Sequence, residues 1–478
     1  MLFNSLAFAV FLPAVLIPYW ALRRRSLRSQ NALLLVASYL FYGWWDWRFL
    51  SLIIVSSLVD FLVGRGLAST EHKVAQKKLL TVSIATNLGI LGFFKYFDFF
   101  ITSAADLLTA FGLSANARTL GVILPVGISF YTFQTLSYTI DIYRGKLRPT
   151  KDPVAFFAFV SFFPQLVAGP IERASNLLPQ FSKTRSLTLD EAKDGVRQGV
   201  WGLFKKIVIA DNLAPHVDAI FSAETHTDGL TLVIGAFFFA IQIFCDFSGY
   251  SDVAIGTARL FGFTLMRNFA NPYFSRDIAE FWRRWHISLS TWFRDYVYIP
   301  LGGSRAGRSA HIFNLMVTFA VSGLWHGANW TFLVWGVLNA LYYIPFMLLN
   351  RHRHNLDTIA EGRILPSASE VISVAVTFSM TLVAWVFFRA DSLSQAFSYL
   401  YGIVSTPWVS GAITQTYAWP LALCGVLFIV EWFQRMQPHG FQMNGWPVAL
   451  RWVAYCAVIT IMIGVGKSGH QPFIYFQF

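Results

Sequence analysis

The sequence predicts an all-α, polytopic integral membrane domain, and three observations carry that prediction. Only 62 of its 478 residues are charged (37 basic, 25 acidic), where soluble domains carry roughly a quarter. Hydrophobic residues make up 55% and aromatic residues 17%. Charge-free apolar runs recur from one end of the chain to the other. A backbone in hydrocarbon must satisfy its own hydrogen bonds, so each run of about 20 such residues reads as a helix.

Residues 1–22 form the first run, and Arg23, Arg24, Arg25 and Arg28 follow it. A secretory signal peptide carries its positive charge ahead of the apolar stretch, so this run reads as an uncleaved span with the N-terminus outside. Further runs cover 30–45, 49–63, 79–94, 119–140, 153–171, 229–245, 309–350, 371–388, 392–430 and 452–466. The 309–350 run has 42 residues, enough for two spans joined by a tight turn. Ten to twelve transmembrane or re-entrant helices are expected. The basic loops at 23–28, 65–78, 144–151 and 267–308 are assigned to the cytoplasm. Their parity requires 99–111, and a segment between 153 and 210, to be re-entrant or interfacial.

The net charge of +12 fits this topology, and no soluble basic domain is present to bind nucleic acid. Cys245, Cys424 and Cys456 sit in apolar stretches without CxxC or Cys/His spacing, which excludes a disulfide framework and a zinc site. With no internal repeat or linker, residues 1–478 read as a single membrane domain, its catalytic core at about 119–350.

Ionisable groups at membrane depth are costly, and each is a functional candidate. His326 lies in Val321-Ser-Gly-Leu-Trp-His-Gly-Ala-Asn-Trp330, within the 42-residue run. Burial keeps an imidazole neutral, so it is able to accept a proton as a general base. The competing reading is an interhelical hydrogen bond, with Gly323 and Gly327 serving close helix packing. A second segment, 271–300, reads as one helix N-capped by Ser275 and stopped by Pro300, with Trp282, His286, Leu289 and Phe293 on one face. Its arginines suit lipid phosphates at the inner leaflet or an anionic substrate. In Asp246-Phe-Ser-Gly-Tyr-Ser-Asp252, the groups Asp246, Ser248, Tyr250 and Asp252 read as orienting or structural, by helix capping and pairing to an arginine such as Arg259. The segment 163–173, with two prolines and a glycine, reads as a broken stretch lining a cavity.

Phe281-Trp-Arg-Arg-Trp-His286, Asp295-Tyr-Val-Tyr-Ile-Pro-Leu-Gly-Gly303 and Trp325-His326-Gly327 together resemble the membrane-bound O-acyltransferase (MBOAT) family. The opening Met1-Leu-Phe-Asn-Ser5, Gln165-Leu-Val-Ala-Gly-Pro170, the 246–252 segment and the ending Pro472-Phe-Ile-Tyr-Phe-Gln-Phe478 are similar to its bacterial alginate O-acetyltransferase branch. The resemblance implies a horseshoe of helices around a tunnel, a catalytic histidine at His326 and its upstream partner at His286. It also implies acetyl-CoA as donor substrate, with no bound cofactor or metal. Arg283, Arg284, Trp285, Trp325 and Asn329 read as donor-binding or tunnel-lining.

The expected function is O-acetylation of an extracytoplasmic polysaccharide such as alginate, directly or through a periplasmic acetyltransferase partner, from the bacterial inner membrane. Rival acceptors are teichoic acid (by D-alanyl transfer), peptidoglycan and cellulose. From another class, a polytopic transporter predicts inverted repeats and paired intramembrane charges, and neither is visible in the sequence.

Overall fold

A computed structural model describes residues 1–113, 118–223, 228–305, 307–351, 353–408, 416–467 and 473–474. Of the C-terminal motif, Pro472 and Tyr475 to Phe478 therefore lie outside the described residues. No strand occurs among those described. The chain divides into two compact units, residues 1–195 with 257–266, and residues 196–256 with 267–478.

In the first unit, α1 (Leu6–Ala21) starts behind Ser5, whose hydroxyl accepts from the Phe8 amide and satisfies a free N-terminal donor. The next two apolar runs become α2 (Leu27–Asp46) and α3 (Leu50–Ser69), joined by a 3₁₀ turn. Helix α4 (Lys73–Leu91) continues through a π-turn into α5 (Phe97–Ala110). The stretch expected to be re-entrant at 99–111 is thus the tail of a 38-residue helical segment. Asp60 is wholly buried on α3 and accepts from Ser83 (2.5 Å) and Asn87 (2.8 Å) of α4, so this carboxylate ties the two helices together.

Helix α6 (Ile128–Tyr143) begins after Gly127, at φ 75°, and a Cβ there would strike the Leu166 carbonyl. The 153–171 run breaks as expected, into α7 (Pro153–Ser161) and the single turn α8 (Phe163–Leu166). Phe163 to Ile171 are buried in protein and do not line the cavity described below. A further turn, α9 (Ala174–Leu177), precedes α10 (Leu189–Phe204), which enters the second unit.

There a π-turn at Lys205–Ala210 leads to α11 (Asp211–Phe221) and then to α12 (Gly229–Leu260). The apolar run expected to end at residue 245 therefore continues as one helix through Asp246 and Asp252. Those residues cap nothing; they sit in mid-helix.

The segment 271–300 also departs from expectation. It forms two short helices, α13 (Ile278–Arg284) and α14 (Ile287–Phe293), the first N-capped by Asp277 in place of Ser275. The 309–350 run forms the expected pair, α15 (Arg308–His326) and α16 (Trp330–Leu348). Then follow α17 (Ala368–Arg389), α18 (Leu393–Ser405), α19 (Ala418–Phe433) and α20 (Val448–Val465). By length and composition, seven helical segments among the described residues suffice to cross a membrane, and Pro153–Leu166 and Ala418–Phe433 are shorter apolar helices.

Candidate active site

Helices α15 and α16 approach closely because glycines face backbone. A Cβ at Gly323 would meet the Phe332 carbonyl, and one at Gly336 the Phe319 carbonyl. Gly327 is not helical; its φ of −162° is extended, and a Cβ there would run into the Phe332 ring. This turn leaves His326 as the last residue of α15, 3% exposed. Trp325, Trp335 and Phe388 surround its ring at centroid distances of 4.9, 5.0 and 5.2 Å.

His286 reaches the same place from the corner between α13 and α14. It is 1% exposed and holds φ 43°, a left-handed conformation that is strained for a non-glycine residue. The corner is held from outside itself. The Asn268 carbonyl accepts from the Ile287 amide (2.9 Å), the Asn268 side chain accepts from the Ser288 hydroxyl (2.9 Å), and Ala270 N–H donates to the Arg284 carbonyl (2.9 Å). Asn268 Nδ2 in turn donates to Ser251 of α12 (3.1 Å). Phe247 meets the His286 ring edge-on at 4.5 Å.

The outcome is that His286 and His326, 40 residues apart in sequence, stand with ring centroids 6.4 Å apart, and Trp325 is 5.9 Å from His286. Burial pushes the His286 imidazole well below its usual range, to about 3. That ring stays neutral in the physiological range, a hydrogen-bonding group too weakly basic to take up a proton.

A cavity of about 510 Å³ opens beside the pair. It reaches Ile287, next to His286, and Ser322, one helical turn before His326. Its charged lining consists of Arg283, Arg294 and Arg353, with Tyr298, His311 and Tyr343 as further polar groups. Arg283 also donates to the Asn355 carbonyl at 2.6 Å.

Arg284, expected to share the donor-binding role, does not line this cavity. It pairs with Glu280 at 2.9 Å, and Glu280 is shared with Arg276, which also pairs with Asp357. Trp285 belongs to a buried aromatic layer, 4.9 Å from Trp385. Asn329 is the N-cap of α16, accepting from the Thr331 amide. Arg353 and His311 were not anticipated, although the basic run Arg351-His-Arg-His354 directly after an apolar span signals a group of charges at one helix end.

The acidic segment of α12 finds partners other than the one expected. Gly202 and Gly249 meet backbone to backbone where α10 crosses α12, which brings the π-turn lysines onto the acidic face. Lys205 bonds Asp252 (2.7 Å) and Ser248 (2.8 Å), while Lys206 lies 2.8 Å from both Asp211 and Asp246. Arg259 instead pairs with Asp194. Asp246 also accepts from the Ile474 amide at 2.7 Å, and Phe473 packs on Tyr250 (4.6 Å) and Phe247 (5.7 Å).

Paired charges therefore do occur within a long apolar helix, contrary to the reading from sequence. They are packed in protein and line no open cavity of the size beside the histidines. Lys205 and Lys206 are flanked by Trp201-Gly-Leu-Phe204 and Ile207-Val-Ile-Ala210, and two charges inside so apolar a stretch were the available signal. Among the described residues, no group of three or more His, Cys, Asp or Glu is arranged to hold a metal ion.

The family model for the membrane-bound O-acyltransferase family matches residues 147–388, a span that includes both histidines. The chain is 37% identical to the probable alginate O-acetylase of Pseudomonas putida over the full length of both proteins. It is 41% identical to the protein of the same name from Pseudomonas aeruginosa, over 83% of this chain and 73% of that one. To the peptidoglycan O-acetyltransferase of Helicobacter pylori it is 32% identical, over 100% of this chain and 98% of the other.

Proposed function

Since the chain belongs to the membrane-bound O-acyltransferase family, and is thus a multi-pass membrane enzyme that transfers acyl groups to hydroxyls, we propose that it carries acetyl from cytoplasmic acetyl-CoA for O-acetylation of an alginate-type extracytoplasmic polysaccharide. The observation that carries this reading is the buried pairing of His286 and His326 beside an arginine-lined cavity. The names of the Pseudomonas relatives favour alginate among acceptors. The acetyl group reaches the polymer directly or through a periplasmic acetyltransferase partner.

In this mechanism the CoA phosphates pair with Arg283, Arg294 and Arg353, and the thioester points toward Ile287 and Ser322. His326 takes the proton of the acceptor hydroxyl as its oxygen attacks the thioester carbonyl. The C–O bond forms, negative charge collects on the carbonyl oxygen, and a neutral His286 N–H or a backbone donor beside it stabilises that charge. The C–S bond then breaks, and the departing thiolate recovers the proton from His326. Removing the chain from its host is expected to abolish base-labile acetate on the exopolysaccharide; polymer with undiminished acetate would overturn the reading.

The arginines separate by geometry. Arg283→Ala is expected to raise the KM for acetyl-CoA several-fold, the effect of losing one charge-assisted contact of about 1 kcal/mol, with kcat little changed. Arg284→Ala, which breaks the pair with Glu280, is expected to lower thermal stability and leave KM unchanged. Equal KM shifts in both variants would show that the cavity does not select between them.

The same reading places the protein in the bacterial inner membrane with its N-terminus outside and the 23–28 and 73–78 loops in the cytoplasm. A cysteine introduced in either loop should react with an impermeant thiol reagent only after the membrane is opened. Labelling of both in intact cells would invert the orientation.

A further inference from the structure

Neither histidine lines the 510 Å³ cavity, although Ile287 and Ser322 beside them do. Trp335, 1% exposed, touches both a residue of the cavity wall and the His326 ring. Its indole lies 5.7 Å from Trp282, a cavity-lining residue, and 5.0 Å from His326.

Trp335 is held in a dense aromatic stack beside His326. It stacks on Trp385 at 5.8 Å and 21°, and meets Phe388 edge-on at 5.2 Å. Trp385 is packed in turn against Trp285 at 4.9 Å. The glycine contacts of Gly323 and Gly336 bring the α15 and α16 backbones together, which places Trp335 of α16 close to His326 of α15. Buried aromatic packing of this density tolerates little added volume.

We propose that Trp335, with Phe388 behind it, limits the transferred acyl group to about two carbons. An acetyl thioester places a single methyl beyond its carbonyl, whereas a butyryl group must push two further methylenes into the aromatic wall around His326. This inference rests on the acyl transfer proposed above and names the residue that sets its chain length.

The test uses the full-length protein in proteoliposomes with an acceptor polysaccharide, and compares kcat/KM for acetyl-CoA and butyryl-CoA. One methylene in a tight pocket is worth roughly 10- to 200-fold, so wild-type protein is expected to prefer acetyl by at least about 100-fold. Trp335→Ala should raise the butyryl-to-acetyl ratio tenfold or more. Trp335→Phe, which keeps an aromatic ring in the stack, should raise it by a smaller factor. Because the readout is a ratio within one preparation, a variant that merely folds poorly does not move it.

Comparable use of the two donors by wild-type protein, or a ratio unchanged in both variants, overturns the size limit while leaving acyl transfer intact. Absence of transfer from either donor by folded wild-type protein instead overturns the proposed function.

Discussion

His326→Ala is expected to reduce acetyl transfer by about 10²- to 10⁴-fold while the protein remains folded and inserted, the range a positioned general base supplies. His286, 6.4 Å away, is not expected to replace it, because burial pushes its imidazole well below the usual range. A purely structural role for His326 predicts a different result: loss of packing against Trp325, Trp335 and Phe388, a lower melting temperature and largely retained turnover. His326→Gln separates the two. An amide fills much of the same space and forms hydrogen bonds, yet takes up no proton near neutral pH. A stable, inactive Gln variant supports the base; near-normal acetylation by Gln rejects it. His286→Asn, which keeps a hydrogen-bond donor at the left-handed corner and suits that backbone conformation, is expected to retain part of the activity.

The largest effect on stability is expected at Lys206. Its ammonium lies 2.8 Å from both Asp211 and Asp246, and side-chain exposures across the triad are 3%, 2% and 4%. Lys206→Met leaves two buried carboxylates facing each other without a cation. Breaking a buried pair in this way typically costs 3–5 kcal/mol, enough to remove most of the margin of an ordinary domain. Thermal unfolding in detergent, followed by size-exclusion chromatography, should show a large fall in melting temperature. The triple change Lys206→Met, Asp211→Asn and Asp246→Asn removes the charges together and is expected to recover part of the loss, since neutral amides can hydrogen-bond to one another. An unchanged melting temperature for Lys206→Met alone would show that the triad is not a structural charge cluster. Asp246 also holds the Ile474 amide, so the single variant should in addition loosen the Phe473–Ile474 segment, whose Phe473 packs on Tyr250 and Phe247.

The two histidines were legible because short motifs surround them, Trp325-His326-Gly327 and the Trp/Arg-rich run ending at His286. The helix expected to carry His286 was not. A 3.6-residue pattern continues smoothly through 282–293, yet the backbone breaks at Trp285-His286, because Asn268 and Ala270 supply the hydrogen bonds that an unbroken helix would have made internally. Periodicity reports which side chains prefer burial; it carries no information about a distant strand of backbone that competes for the same amides. For the same reason the sequence assigned Asp246 and Asp252 to helix capping and to Arg259. Their lysine partners lie some 40 residues upstream and arrive only because Gly202 and Gly249 permit a close helix crossing.

By itself, the sequence determined that this is a helical membrane protein and where most of its helices run, and it singled out the two histidines that the structure brings together. Those features depend on local costs, since each run of backbone in hydrocarbon must satisfy its own hydrogen bonds, and each charge excluded from it marks a boundary. The tertiary structure decided that Arg283, Arg294 and Arg353 share a cavity while Arg284 is consumed by Glu280. It also decided that two lysines neutralise the acidic face of α12, and that the Trp335 indole touches both His326 and Trp282 of the cavity wall. These outcomes turn on which surfaces meet, and the energy of a buried charge or a packed ring is set by its neighbours in space rather than by its neighbours along the chain.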